Sequence, residues 1–381
     1  MNLALVHDWI TLIGGGERAL KVFRELWPQA PLYTLVCDQT SARQLGFGPE
    51  QVRTSFLQRL PRATRWYRRY LPLYPLAVES FDLSQHEVIL SSSHAAAKGV
   101  VVRADQLHIC YCHTPMRYAW DLAHQYLREN RLHVGPRFLL AHLLLHYLRL
   151  WDCLTAPRVD YFLANSTCTA RRIWRAYRRE ATVVYGPVNT ERFRPSGPKE
   201  EYFIFVSRLV PYKRADLVIA TFNRLGLPLV VVGDGPQMPQ CRKMAGPGVR
   251  LVGYQDDEEV ARLMARARAV VFAAEEDFGL VPVEAQAAGT PVIAYGRGGV
   301  EDTVVPATGD NWDSATGVFF HEQTPEALAE AVGRFIKWED KFRPDVLRAN
   351  AERFSREKFK LRVKAFVEEK WEEFRNRRRW G

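Results

Sequence analysis

Two glutamates, Glu276 and Glu284, lie in one pattern of strand, loop, helix and strand. Glu276 falls in the loop after the apolar run 269–273, and Glu284 lies in the helix-forming run 283–288, before the apolar run 291–295. A carboxylate accepts hydrogen bonds through two oxygens and can hold neighbouring sugar hydroxyls. The start of the helix offers backbone N–H groups that suit phosphate. The pattern suggests a sugar nucleotide, with surface glutamates that bind nothing as the alternative.

Two cations follow another predicted strand, at 202–206. Arg208 and Lys213 are five residues apart. Arginine offers a planar fork of donors and lysine a point charge, so together they can clamp a diphosphate. A pair of solvated surface cations is the alternative at this spacing.

The first half of the chain has its own candidates. Residues 14–16 are three consecutive glycines between a predicted strand at 3–7 and a helical pattern. Three glycines exceed what a turn needs, which indicates backbone close to a ligand at a domain cleft. His113 follows the apolar run 107–112 directly, and ligands of open α/β sheets bind at such strand ends. A tight turn and a buried core histidine are the respective alternatives.

Repeated strand–helix units must position these residues. The 381 residues suffice for two or three domains. Both halves alternate strands and helices, which predicts doubly wound parallel sheets. A Gly-Pro hinge divides them into domains 1–186 and 187–358, followed by a helical segment 359–381. The predicted strands are 3–7, 31–37, 87–90, 107–112, 161–166, 183–185, 202–206, 229–232, 249–252, 269–273 and 291–295.

Composition narrows the setting. No run of about eighteen apolar residues occurs, so no membrane-spanning helix is expected. The amino end lacks a basic leader and a cleavage site, so it indicates a first strand and not a signal peptide. Six scattered cysteines favour a reducing cytoplasm. The formal charge of +10 favours anionic partners: phosphates, anionic lipid or nucleic acid.

Two stretches could contact a membrane. The block 53–81 interleaves arginines with aromatic residues, including Arg65, Trp66, Arg68 and Arg69. Such a mixture suits a membrane interface or an anionic acceptor. Stacking on nucleic acid, or a solvated helix face with core aromatics, are the alternatives. The apolar run 136–151 is too short to span a bilayer, but it could lie in the interface.

A longer string carries a resemblance. From Glu276 the sequence reads E-x-F-G-L-x-x-x-E-A-x-A-x-G-x-P-V-I-A, which resembles the donor-site signature of family 4 retaining glycosyltransferases. S-R-L-x-x-x-K, V-V-G-D-G-P and V-G-Y agree with it. V-H-D-W, G-G-G-E-R, S-S-S-H-A-A-A-K-G and C-Y-C-H-T-P-M-R-Y-A-W-D are similar to a bacterial subgroup near O-antigen and exopolysaccharide mannosyltransferases. The resemblance spans nearly the whole chain.

The resemblance implies an α/β structure of the GT-B fold, with two Rossmann-like doubly wound parallel-sheet domains facing a cleft. The cations after the strand at 202–206 would hold the donor diphosphate. Glu284 would hold the ribose, Glu276 the transferred sugar, and His113 would lie near its anomeric carbon. The implied donor-binding residues are Gly15, Gly16, Arg208, Lys213, Gly253, Tyr254, Glu276, Phe278, Gly279, Leu280 and Glu284. The implied catalytic residues are His113, Arg208, Lys213 and Glu276.

The implied activity is retaining transfer of a hexose. The expected donor is GDP-mannose, and the expected acceptor is a lipid-linked or growing polysaccharide at the inner face of the cell membrane. No metal and no further cofactor are expected, since the basic clamp would stabilise the leaving diphosphate. Transfer from a UDP-sugar is one alternative. A basic nucleic-acid-binding module is another, but it leaves the acids and cations at strand ends unexplained.

Overall fold

The computed structural model describes residues 1–129, 132 and 134–378. They form two compact units. Unit 1 comprises residues 1–185 and the chain from Phe359 onwards, and unit 2 comprises residues 186–358.

The sheet of unit 1 has seven strands. They are β1 (Leu3–His7), β2 (Leu32–Thr34), β3 (Val52–Thr54), β4 (Val88–Ser93), β5 (Leu107–Cys112), β6 (Tyr161–Ala164) and β7 (Ala181–Val183). All pairings are parallel, in the spatial order β3-β2-β1-β4-β5-β6-β7. Every residue of β1, β4 and β5 is buried, as expected for parallel strands covered on both faces.

The sheet of unit 2 has six strands. They are β8 (Phe203–Val206), β9 (Leu229–Val232), β10 (Val249–Gly253), β11 (Val270–Phe272), β12 (Val292–Tyr295) and β13 (Gly317–Phe320). They pair in parallel in the order β10-β9-β8-β11-β12-β13. If the strands of each unit are numbered from its own first strand, both sheets have the order 3-2-1-4-5-6, and the sheet of unit 1 adds a seventh strand.

Helices connect the strands. Those of the first part of unit 1 are α1 (Gly15–Leu26), α2 (Gln39–Gln44), α3 (Ala63–Trp66), α4 (Tyr74–Glu79), α5 (Ala123–Glu129), α6 (Pro136–Thr155) and α7 (Thr167–Tyr177). Those of unit 2 are α8 (Ala215–Leu225), α9 (Met238–Met244), α10 (Asp257–Arg266), α11 (Leu280–Ala287), α12 (Val300–Thr303), α13 (Pro325–Trp338) and α14 (Pro344–Ala351). The chain ends with α15 (Arg356–Arg378). None of the helices in the described ranges is long and apolar enough to span a bilayer.

The strand order decides where functional side chains can gather. It reverses direction between β1 and β4 in unit 1, and between β8 and β11 in unit 2. At such a point the outgoing connections run to opposite faces of the sheet, which opens a crevice beyond the carboxyl ends of the two strands. The register from Leu3 opposite Val88 to His7 opposite Ser92 aligns these ends in unit 1.

The long terminal helix completes the core of unit 1. Phe359, Val363, Val367 and Trp371 of α15 are buried in the same cluster as Phe23 of α1. The Phe359 ring lies 5.7 Å from Phe23 and 5.4 Å from Tyr111, measured between ring centroids. The chain from Phe359 therefore belongs to the first unit by packing, although it follows the second in sequence.

The structure corrects four strand predictions. The strand predicted at 31–37 spans only Leu32–Thr34, and β3 and β13 were not predicted. The strand predicted to end at residue 90 continues through Ser93, because buried hydroxyls find partners there. Ser91 Oγ lies 2.8 Å from His108 Nε2, and Ser92 Oγ lies 2.8 Å from His113 Nε2.

Candidate active site

An ion pair stands at the point of reversal in unit 2. Lys213 follows β8 and Glu276 follows β11, and the Lys213 ammonium donates directly to a carboxylate oxygen of Glu276. The side chains are 15% and 22% exposed, so water still reaches both. The predicted phosphate-binding cation and the predicted sugar-binding acid are therefore each other's partner.

The loop that carries Glu276 is held by two glycines after β12. Gly298 has φ +87°, and a Cβ there would lie 2.4 Å from the carbonyl oxygen of Glu276. A Cβ on Gly299 would lie 2.3 Å from the carbonyl oxygen of Asp277. The Gly299 amide donates to the Glu276 carbonyl over 2.8 Å. Only glycine permits this approach, which fixes the backbone beneath the Glu276 side chain.

Helix α11 starts next to that loop. Gly279 precedes it at φ +84°, and the Phe278 side chain is buried against Phe354, 5.8 Å between ring centroids. Glu284 lies in the second turn of α11 and is only 5% exposed. The helix N-terminus and the buried carboxylate thus lie on the element that directly follows Glu276.

The other predicted donor residues of unit 2 are more exposed. Arg208 is an exposed residue of the loop after β8. Gly253 ends β10 with φ +73°, and Tyr254 is 79% exposed. Gly253 and Tyr254 thus lie at the end of the edge strand β10, which is separated from β8 by β9. The structure brings Lys213 and Glu276 into contact, and it leaves Tyr254 at the edge of the sheet.

Sequence reasoning missed a third cation in the loop after β8. Arg214 adopts a left-handed conformation at φ 60°, with Nε 3.3 Å from Asp216 Oδ1 and Nη1 3.3 Å from Gln323 Oε1. Gln323 Nε2 donates to the Ala273 carbonyl over 2.7 Å, which ties it to the end of β11. The basic Lys213-Arg214 pair was visible in the sequence, but its link to residue 323 was not.

In unit 1, polar side chains form a chain at the reversal between β1 and β4. His113 Nε2 lies 2.8 Å from Ser92 Oγ, which lies 3.1 Å from His7 Nδ1. His7 Nε2 faces Glu17 Oε1 at 3.6 Å, too far for a good hydrogen bond. One consistent arrangement has His113 donating to Ser92 Oγ, Ser92 donating to His7 Nδ1, and the single N–H of His7, at Nε2, facing Glu17.

Burial and neighbouring rings set the charges of this chain. Burial, with the His94 and His7 rings nearby, lowers the pKa of His113 to about 3, so its imidazole is neutral near pH 7. Burial would raise the pKa of Glu17, but the His7 and His94 rings hold it at about 2. His113 therefore offers a neutral ring, and Glu17 is an anion.

Asp8 follows β1 and has a structural role. Its carboxylate accepts the backbone N–H groups of residues 94–97 at 2.6 to 3.0 Å, and it lies 3.1 Å from His94 Nδ1. Burial alone would raise the pKa of Asp8, but His94, His7 and these N–H groups keep it below its ordinary value. The fixed carboxylate joins the loop after β1 to the loop after β4.

The consecutive glycines do not form a left-handed turn. None of residues 14–16 has positive φ, and α1 begins at Gly15. A Cβ on Gly16 would lie 3.5 Å from His113 Nε2 and 3.6 Å from His7 Cε1. Gly16 thus brings the start of α1 against the two histidine rings.

The arginine and aromatic block forms short helical pieces. Arg65, Arg68 and Arg69 are exposed, whereas Tyr67 and Tyr74 are buried in the core. The guanidinium carbons of Arg62 and Arg69 each lie 4.7 Å from the centroid of the half-buried Trp66 ring. The alternative that the aromatic residues of this block belong to the core is therefore correct for Tyr67 and Tyr74. Trp66 lies between two arginine side chains at the surface.

A second set of missed residues is now visible. The side chains around His113 are those of His7, Glu17, Ser92 and His94. Of these, the sequence could have indicated His7 alone, by its position at the end of a predicted strand.

The described residues include no group of three or more His, Cys, Asp or Glu side chains placed to hold a metal ion.

A family model matches part of the chain. The family "Glycosyl transferases group 1" matches over residues 189–354. The matched residues lie within unit 2. This stretch contains β8 to β13, with Arg208, Lys213, Glu276 and Glu284.

Curated relatives match over part of the chain. A glycogen synthase of Nitrosospira multiformis is 36% identical over 151 residues, which is 36% of this chain and 30% of that protein. A GDP-mannose-dependent alpha-(1-6)-phosphatidylinositol monomannoside mannosyltransferase of Mycobacterium tuberculosis is 30% identical over 206 residues, 45% of this chain and 51% of that protein. The aligned regions thus span between about a third and a half of these relatives.

Solved structures match over nearly the whole chain. Anabaena Alr3699/HepE in complex with UDP and glucose aligns with TM-score 0.69 and 18% identity, over 97% of this chain and 99% of that one. Sucrose-phosphate synthase from Thermosynechococcus elongatus aligns with TM-score 0.69 and 18% identity, over 96% and 98%. With two parallel-sheet α/β units, the chain has the GT-B fold predicted from its sequence.

Replacing Gly299 should displace the Glu276 loop. Gly299→Ala places a methyl group against backbone atoms of residues 277 and 278, so we expect a loss of about 1–3 kcal/mol and a lower melting temperature. Gly333→Ala is the matched control, because Gly333 is exposed within α13 and its Cβ would meet nothing within 4 Å. That control should be neutral or gain up to about 1 kcal/mol. Equal melting temperatures for the two variants would contradict this account of the loop.

Proposed function

We propose that the chain is a retaining glycosyltransferase that moves mannose from GDP-mannose to a lipid-linked or growing polysaccharide acceptor. The observation that carries the proposal is the Lys213–Glu276 pair at the strand-order reversal of the unit that matches the group 1 family. A cation and a carboxylate meet there, and a sugar diphosphate needs both.

The cations would bind the diphosphate. Lys213 would exchange the Glu276 carboxylate for a phosphate oxygen, and Arg208 would add a fork of donors from the exposed loop. When the glycosidic bond to GDP breaks, negative charge grows on the diphosphate, and fixed cations stabilise it. The reaction would then need no metal ion.

Released from Lys213, Glu276 would accept hydroxyls of the mannose. Glu284 would accept the ribose hydroxyls from α11, with the backbone of Phe278, Gly279 and Leu280 between them. Gly253 and Tyr254 would contact the base. In unit 1, His113 is neutral by its lowered pKa and would serve as a hydrogen-bonding partner of a sugar hydroxyl, next to Gly15 and Gly16.

Mannose and GDP are proposed from the relatives. The M. tuberculosis mannosyltransferase, 30% identical over 206 residues, supports GDP-mannose. The glycogen synthase, 36% identical over 151 residues, and the UDP-bound Anabaena structure, 18% identical, do not point to mannose. A UDP-sugar is therefore the second candidate. An anionic membrane surface, or the acceptor at the inner face of the cell membrane, would bind to Arg65, Trp66, Arg68 and Arg69. No nucleic acid is expected to bind there.

A charge exchange tests the pair directly. Lys213→Glu and Glu276→Lys should each reduce mannose transfer by at least about a hundredfold, on the scale of one lost charge-stabilising group. The double variant restores opposite charges, so the melting temperature should recover if the single variants lower it, while transfer stays lost. The exposed Lys337→Glu in the same unit is the control and should transfer normally. Recovery of transfer in the double variant would mean that the pair serves only stability.

Donor binding should raise the melting temperature selectively. A ligand at about 100 times its Kd stabilises the folded state by about 2.7 kcal/mol. We expect such a rise with GDP-mannose, a smaller one with UDP-glucose, and the same rise with GDP-mannose in the presence of EDTA. If UDP-glucose raises the melting temperature and GDP-mannose does not, the proposed donor is a UDP-sugar. If no nucleotide sugar raises it, the enzyme proposal is refuted.

A further inference from the structure

Helix α6 presents an unusual exposed stripe. Leu139, Leu143, Tyr147, Leu150 and Leu154 are each 47% to 74% exposed. At about 100° per residue they fall within an arc of about 80°, along about 22 Å of helix. The opposite face, with Leu145 and Leu148, is buried in the core of unit 1. The helix is therefore apolar on both sides, which is typical of contact with hydrocarbon.

A basic cavity adjoins this stripe. Its volume is about 450 Å³, and it lies between the segment after β5, α6 and α7, all within unit 1. Its α6 wall is formed by His142, Leu145 and Arg149. On the helix this wall begins about 60° from the edge of the exposed stripe.

The charges of the lining favour an anion. Among the described residues that line the cavity there are three guanidiniums, from Arg149, Arg172 and Arg175, and a single carboxylate, Asp121. Arg172 Nε lies 2.5 Å from Asp121 Oδ2, and Arg149 Nη1 donates to the Ala119 carbonyl over 2.9 Å. These contacts orient two of the three cations, and Arg175 is exposed at the rim.

One buried carboxylate holds the walls in place. Asp152 of α6 accepts from Trp120 Nε1 and from the Tyr177 hydroxyl of α7, both at 2.8 Å, and lies 2.9 Å from Lys98 Nζ. The three elements around the cavity therefore meet at a single side chain. A site fixed in this way is preorganised, and its shape does not depend on the ligand.

The lining of the cavity begins close to His113 in the sequence. Pro115, the first lining residue, is two positions after His113, and Thr169 Oγ1 of α7 donates to the His113 carbonyl over 3.2 Å. Among the described residues, Thr114 Oγ1 and Asn165 Oδ1 are buried without a hydrogen-bond partner. Thr114 lies between His113 and Pro115 on the loop after β5, and Asn165 lies on the loop after β6.

We infer that this cavity binds the phosphate of a lipid-linked acceptor while the exposed stripe of α6 lies in the leaflet that carries the lipid. The inference rests on the proposed function, since it gives that reaction its acceptor class. Charge complementarity selects the phosphate, and the adjoining apolar stripe selects a membrane-borne source over a free ion. The lipid would thereby hold its attached sugar towards the loop of His113.

Vesicle sedimentation with the full chain tests the inference. The probes are vesicles of phosphatidylcholine, the same with phosphatidylglycerol, and the same with a polyprenyl phosphate. We expect the tightest binding to the polyprenyl phosphate vesicles. Arg175→Gln, alone and with Arg172→Gln, should weaken that binding about tenfold but spare binding to phosphatidylcholine. The triple variant of Leu139, Leu143 and Leu150 to Gln should weaken binding to all three vesicles.

Two exposed positions of unit 1 supply matched controls. Arg43→Gln and Leu361→Gln remove the same groups elsewhere and should bind all vesicles as the unaltered chain does. Every variant should keep its melting temperature and its stabilisation by GDP-mannose. If GDP-mannose does not raise the melting temperature of the unaltered chain, the result counts against the proposed function. The vesicle data still decide the lipid site in that case.

Three results would overturn the inference. If the arginine variants bind polyprenyl phosphate vesicles normally, the cavity does not bind the lipid phosphate. Inorganic phosphate alone could bind as tightly as the lipid, which makes the ligand a free ion. The leucine variant could convert a dimer to a monomer without any change in vesicle binding, which assigns the stripe to a second copy of the chain.

Discussion

The reversal of strand order within each parallel sheet is the constraint on which both candidate sites depend. Connections that leave two adjacent strands for opposite faces cannot cover the space beyond the strand ends. In unit 1 this position gathers His7 of β1 and Ser92 of β4 beside His113. In unit 2 it joins Lys213 after β8 to Glu276 after β11. Local sequence supplies the groups, and topology brings them together.

The Lys213–Glu276 pair gives unit 2 a definite chemistry. Each partner is mostly shielded but still reached by water, so the pair contributes modestly to stability and its members can take other partners. A diphosphate carries more negative charge than a carboxylate and would compete for the ammonium. Displacement would leave Glu276 free to accept hydroxyls, so the arrival of one part of a donor prepares the site for the other.

The sequence predicted the positions of these groups better than their partners. Apolar runs located β8 and β11, and the residues after them were chosen correctly as strand-end residues. The contact between residues 63 positions apart, however, depends on strand order and register, which no local pattern contains. The same holds for His7, Glu17 and Ser92 around His113, and for Asp152, which joins three elements across the wall of the cavity. Strands β3 and β13 were missed because β3 has three residues, two of them polar and exposed, and β13 begins with a glycine, a residue depleted in strands.

The central claim is that Lys213 exchanges Glu276 for a diphosphate, and calorimetric titration of GDP tests it most directly. Lys213→Met should raise the Kd of GDP about tenfold or more, because a hydrogen bond to a charged group is lost. Glu276→Gln should leave that Kd unchanged or lower it, since a competing carboxylate is removed, although the same variant no longer transfers sugar. An unchanged Kd in Lys213→Met, or an equal rise in both variants, would contradict the account.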